Sequence, residues 1–166
     1  MRVGIFLGRA IPFLHPGHLW LMEKILKEND LMVACIGSAQ LTEPFTIEER
    51  RAHWQRQLGG LFPNKKFVIC EIVDPVPIDT WPEDMVRVCG IKADDQNTFY
   101  RSDPLDPKYI RRLKELGIEV KKVKRKSFLF MAPDGYYRRI SSGTEVRMIL
   151  ERVKPEEVDH GKREGK

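Results

Sequence analysis

Two histidines three positions apart, His15 and His18, bracket Gly17 in the stretch Gly8-Arg9-Ala10-Ile11-Pro12-Phe13-Leu14-His15-Pro16-Gly17-His18. Imidazole N–H groups suit a phosphate whose charge shifts as a bond is exchanged, because they stabilise it without a covalent step. The stretch follows an apolar run and leads at once into a helical pattern. That places both histidines on one side of a helix start, where exposed backbone amides attract anions. Gly17 would let a nucleotide approach the backbone closely. Arg9 would add a fixed positive charge from the strand end. Metal ligation is the competing chemistry, but the chain has four histidines and no cysteine or carboxylate nearby completes a zinc set. The other competing reading is a pair of incidental surface residues.

A second stretch offers similar chemistry near the end of the chain. Ile140-Ser141-Ser142-Gly143-Thr144-Glu145-Val146-Arg147 supplies hydroxyls, free amides and an arginine at another helix start. Ser142 and Glu145 form a capping-box pattern. Arg147 falls one turn inside, where its guanidinium fork would reach a terminal phosphate. Alone, this is equally an ordinary capped helix with a surface arginine. Two phosphate-suited helix starts in one chain point to a polyphosphate held between them.

The elements that must position these residues alternate. Residues 3–7, 31–36, 67–73 and 118–123 read as strands, and the first three are continuous apolar runs suited to a buried parallel sheet. Residues 17–27 form a helical pattern with Leu21, Ile25 and Leu26 on one side. Thr46-Ile47-Glu48-Glu49 is a capping box. Asp106-Pro107 opens another helix that Gly117 closes in a left-handed conformation. Residues 127–131 and 136–139 flank Pro133-Asp134-Gly135 and read as a hairpin. This alternation predicts an α/β fold, a three-layer domain with a mostly parallel sheet, whose ligands gather at the carboxyl ends of the strands.

Composition sets the boundaries. At 166 residues, 42% hydrophobic and 32% charged, the chain fits one soluble domain, with residues 1–154 as its body and 155–166 as a charged tail. No stretch approaches the roughly 20 apolar residues of a membrane span. The opening apolar residues stop at Arg9 and read as a strand, not a signal peptide. Cys35, Cys70 and Cys89 are odd in number and widely spaced, forming neither a disulfide framework nor a metal cluster, which suits a reducing cytoplasm. The net charge of +5 lies partly in Lys121-Lys122-Val123-Lys124-Arg125-Lys126 and in residues 162–166. With no aromatic platform interleaved, this reads as a solvated basic surface and not a nucleic-acid site.

His15-Pro16-Gly17-His18, taken with Ser142-Gly143-Thr144-Glu145-Val146-Arg147, resembles the nucleotidylyltransferase superfamily. Ile36-Gly37-Ser38-Ala39-Gln40, followed by Pro44-Phe45-Thr46 and Glu49-Arg50, narrows the likeness to the archaeal-type nicotinamide-mononucleotide adenylyltransferases. It is strongest over residues 1–56 and 136–151. The resemblance implies a Rossmann-like, HUP-type domain that transfers AMP from ATP to nicotinamide mononucleotide and releases pyrophosphate. It implies catalytic roles for His15, His18 and Arg147, and contacts from Gly8, Arg9, Gly17, Gly37, Ser142, Gly143 and Thr144 to ATP. Gly37 and the Ser38 region would lie beside the adenosine. Ser38 and Trp81 would meet the acceptor, the indole stacking on a flat ring; Trp81 reads equally as a core aromatic. Mg²⁺ would arrive on the ATP phosphates, and a homo-oligomer is compatible with the family.

The chain also departs from that pattern. Ala10 and Ile11 replace a phenylalanine-or-methionine and glutamine pair, Leu14 is extra, and residues 40–44 are shorter than usual. Arg101-Ser102-Asp103-Pro104 stands where Ser-Gly-Asn-Pro is expected. A related transferase with another phosphate acceptor, or a catalytically silent nucleotide-binding regulator, therefore stays open.

Overall fold

The chain is described by a computed structural model over residues 1–9, 14–41, 45–74, 80–124, 126–131 and 135–140. The second phosphate-suited helix start, with Ser142, Gly143, Thr144 and Arg147, lies outside the described residues, as does the tail.

Within them, the chain runs β1 (Arg2–Gly8), α1 (Pro16–Glu28), β2 (Leu31–Ile36), α2 (Ile47–Leu61), β3 (Phe67–Glu71), α3 (Trp81–Cys89), β4 (Gln96–Arg101), α4 (Pro107–Glu115), β5 (Ile118–Lys122), β6 (Phe128–Met131) and β7 (Tyr137–Ile140). The first five strands form one parallel sheet in the order β3-β2-β1-β4-β5, while β6 and β7 pair antiparallel as a separate hairpin. The chain leaves β1 toward β2 and β3, then returns to the other side of β1 to form β4. That reversal between β1 and β4 opens a crevice at the strands' carboxyl ends.

The period-two alternation of β1 builds the two cores. Phe6 joins Leu21, Met22, Ile25, Leu26, Trp54 and Leu58 on the side of α1 and α2. Val3 and Ile5 face Met85, Phe99, Leu113 and Ile118 on the side of α3 and α4. These side chains are 0–5% exposed. Each contributes about 1.5–3 kcal/mol by leaving water. Gly4 lets α1 lie close on the sheet: a Cβ there would stand 2.3 Å from Ile25 Cγ2.

Local signals set the boundaries. The Thr46–Glu49 capping box forms reciprocally at the start of α2. Asp106 caps α4 through Lys108 N–H, and Gly117 takes φ +75° just beyond its end. Two elements were not apparent in the sequence, β4 and α3. In β4 the buried Asn97 gives its amide hydrogens to the Lys92 and Asp95 carbonyls, which offsets part of the cost of a polar residue in an internal strand; its Oδ1 is buried without a partner among the described residues. β3 ends at Glu71, short of the expected Val73.

The three cysteines are distant in sequence yet meet in space. Register pairs Cys35 with Cys70, and Cys35 Sγ lies 3.4 Å from Cys89 Sγ; all three are free thiols. Hydrogen bonding to a neighbouring thiol, Cys89 for Cys70 and Cys35 for Cys89, together with burial, pushes the Cys70 and Cys89 thiols far up, which keeps them protonated. Part of the basic run is engaged with the fold: Lys121 bonds Glu28, and Lys126 lies 4.9 Å above the Trp20 ring. No helix among the described residues is long and apolar enough to cross a membrane.

Candidate active site

The site forms where β1 hands over to α1. Gly8 ends β1 and accepts the Gly37 N–H at 3.1 Å, which joins the carboxyl ends of β1 and β2. Leu14, the extra residue of this segment, is 2% exposed and anchors it in the α1-side core. His15 follows as the N-cap of α1, with Pro16 in the first turn.

His15 is 5% exposed, and its Nδ1 accepts the Gly17 N–H at 3.0 Å. An accepting Nδ1 assigns the neutral ring's proton to Nε2, so Nε2 is the donor. His18 is half-buried and stacks on His15 with ring centroids 3.8 Å apart and planes at 28°. Phe6 presents an edge to His18 at 5.5 Å. The two imidazoles are therefore held together at a helix start, beside the end of the central strand.

The glycines fit this arrangement for steric reasons. A Cβ on Gly17 would stand 2.8 Å from His15 Cε1, and one on Gly8 would meet the Phe6 ring at 2.8 Å. Gly17 thus permits the His15 ring to fold over its own helix start. At Gly37 a Cβ would meet only Leu7, at an ordinary 3.5 Å.

Arg9 is exposed at the end of β1, and its charge reaches Asp74, just beyond β3. Burial pushes the Asp74 carboxyl up, but hydrogen bonds from Ser38 and Gln40, with the Arg9 charge, hold it below its ordinary value. Ser38 is 1% exposed in a left-handed conformation at φ 53°, and its hydroxyl donates to Asp74 at 2.8 Å. Its hydroxyl is thus directed into the protein and not to solvent. Trp81 stands half-buried at the first position of α3, its ring tilted against Phe99 at 5.8 Å and Tyr109 at 5.4 Å. The indole packs against the core on this side of the sheet and keeps part of its surface accessible. Arg101, at the end of β4, donates to the Asp103 carbonyl at 2.6 Å.

Sequence reasoning assigned no role to Arg50 or Asp74. Arg50 is 1% exposed and bonds carbonyls of the loop after β2. Burial lowers its pKa, with Glu71 acting in the opposite direction. In the sequence Arg50 stands directly after the capping box, in the Glu49-Arg50 pair that carries part of the family likeness, with nothing to show that it would be buried.

No protein-family model matches the chain. Curated relatives do. The chain is 30% identical over 159 residues to the nicotinamide-nucleotide adenylyltransferase of Methanothrix thermoacetophila, covering 90% of this chain and 79% of that protein. It is 31% identical to the enzyme of the same name from Methanococcus vannielii, covering 92% and 78%. Among solved structures it resembles a bifunctional NMN adenylyltransferase/ADP ribose pyrophosphatase from Francisella tularensis, with a TM-score of 0.65 at 19% identity. That match covers 89% of this chain and 41% of the longer protein, and it establishes the Rossmann-like fold. With a relative at this identity matched over most of both lengths, the chain belongs to the nicotinamide-nucleotide adenylyltransferase family.

Proposed function

We propose that this chain transfers the adenylyl group of ATP to nicotinamide mononucleotide, giving NAD and pyrophosphate. The observation that carries the reading is the stacked His15–His18 pair at the start of α1, beside Gly8. The acceptor phosphate attacks the α-phosphorus in line, a new P–O bond forms, and the bond to the β-phosphate oxygen breaks. No protein nucleophile is required, so the chain contributes positioning and charge stabilisation.

His15 serves the α-phosphate through Nε2–H, and His18 serves the β- and γ-phosphates. Arg9 holds the leaving pyrophosphate, together with Ser142, Thr144 and Arg147 from the segment outside the described residues. The substrate is ATP carrying Mg²⁺, an oxygen-seeking ion that phosphate and water coordinate. Among the described residues no three His, Cys, Asp or Glu side chains group as a metal site. The accessible part of Trp81 stacks on the acceptor ring, and the Gly37–Ser38 loop borders the nucleotide.

Replacing His18 by alanine tests the assignment. The expected result is a loss of about 10²-fold or more in turnover with an unchanged circular dichroism spectrum, as for removal of a transition-state donor. Near-wild-type turnover in a folded His18→Ala protein would overturn it.

A further inference from the structure

Arg50 is almost wholly buried, yet among the described residues no carboxylate accepts from it. Glu71, the acidic group that its charge senses, instead bonds Arg51 at 2.7 Å. The two terminal nitrogens of the guanidinium go to backbone, while Nε is buried without a partner among the described residues: Nη1 reaches the Gly37 carbonyl at 3.2 Å, and Nη2 reaches those of Ser38 at 3.0 Å, Leu41 at 3.1 Å and Ala39 at 3.5 Å. Four carbonyls of one five-residue loop therefore converge on a single cation. Burying a charge costs several kcal/mol unless such bonds offset it. Apolar packing would hold a helix against a loop more cheaply. What the fork adds is a fixed path for the loop backbone.

The path is an unusual one. Ser38 adopts the left-handed conformation, which a non-glycine residue takes only when its surroundings impose it. On the other side of the loop, Asp74 accepts from the Ser38 hydroxyl at 2.8 Å and from Gln40 Nε2 at 2.9 Å. Its own N–H returns to Gln40 Oε1 at 3.0 Å, and Ala39 N–H bonds the Ile72 carbonyl. The loop is clamped between Arg50 of α2 and residues 72–74 beyond β3.

We infer that Arg50 is a positioning residue for the acceptor half of the site: it fixes the path of the Gly37–Leu41 loop, and with it Ser38, without touching substrate. This rests on the adenylyltransferase reading, because it presumes that Ser38 in this loop borders the acceptor. The histidines of the phosphate site stand at the start of α1, and the hydrogen bonds of Arg50 go to the loop after β2 and not to them.

The test compares Arg50→Met and Arg50→Lys with wild type, measuring kcat and KM for ATP and for nicotinamide mononucleotide separately. Arg50→Met is expected to raise the KM for the mononucleotide about tenfold or more, the scale of loss from a misplaced binding group, with a smaller rise in the KM for ATP, because the Gly37 end of the loop is also held by the Gly8 carbonyl of β1. Arg50→Lys, which keeps the charge and some of the bonds, should recover part of that loss. Equal rises in both KM values, or no rise in folded protein, would overturn the inference. If Arg50→Met does not fold, Gln40→Ala loosens the exposed side of the same clamp, and the same split must appear there. Wild-type NAD formation is the control: its absence would refute the adenylyltransferase reading, whereas a missing split beside an active wild type would refute the role of Arg50 alone.

Discussion

Gly17→Ala isolates geometry from stability at the proposed catalytic pair. A Cβ at this position would lie 2.8 Å from His15 Cε1, 3.0 Å from His15 Nδ1 and 3.6 Å from the Phe128 ring. Comfortable carbon contacts begin near 3.5 Å, so His15 must give way by roughly 0.7 Å. The ring cannot do so freely, because it is 5% exposed, stacked on His18 and bonded to the Gly17 N–H. Losing that bond costs about 0.5–1.5 kcal/mol. Alanine's better helix propensity returns up to about 1 kcal/mol. The two nearly cancel, and Tm should move by only a few degrees. Activity has no such compensation: a catalytic group displaced by about 1 Å can lose on the order of 10²-fold in rate. A continuous assay of NAD formation should therefore show kcat/KM falling by about that factor in a protein that melts almost normally. Wild-type kcat/KM in folded Gly17→Ala would refute the role given to the His15 ring and its placement.

Gly4→Ala makes the opposite separation. Its Cβ would meet Ile25 Cγ2 at 2.3 Å and Asn29 Nδ2 at 2.6 Å, beneath α1. Overpacking of this kind costs about 1–3 kcal/mol. Denaturant melts should register it, while kcat at low temperature stays near wild type; an unchanged midpoint would contradict the close helix–sheet contact. Glu28 gives a pH signature: hydrogen bonds from Lys121, Lys24 and Tyr100 hold its carboxyl down from 4.5 to about 2 against the opposing effect of burial. A depressed folded-state pKa means that its stabilisation is complete above the unfolded value and is lost as pH falls from about 4.5 toward 2. The Tm difference between wild type and Glu28→Gln should be greatest above about pH 5 and close on acidification. A difference independent of pH would rule out the charged network as its source.

Much of this architecture was legible in the sequence because its signals are local. Strands β1, β2 and β3 are continuous apolar runs, and the starts of α1, α2 and α4 carry caps within four residues of where they act. The His15–His18 pair was legible for the same reason, since both side chains leave one turn of one helix. What escaped depends on partners far along the chain. β4 contains Asn97 and Thr98, and only the carbonyls before the strand make Asn97 acceptable there. Helix α3 is short, and Trp81 drew attention as a ring and not as a helix start. Arg50 acts across 9 to 13 residues, and Asp74 across 34 to 36, on a loop whose shape no local pattern specifies. The cysteines appeared scattered for the same reason, since only the β2–β3 register and the packing of α3 bring them together.

The most direct test is to incubate the purified protein with ATP, Mg²⁺ and nicotinamide mononucleotide, and to quantify NAD and pyrophosphate in the same sample. The expected result is both products in equal amounts, their formation dependent on the mononucleotide. Pyrophosphate released only with a different phosphate acceptor would keep the phosphate site and contradict the acceptor. ATP binding with no product from any acceptor would contradict adenylyl transfer itself.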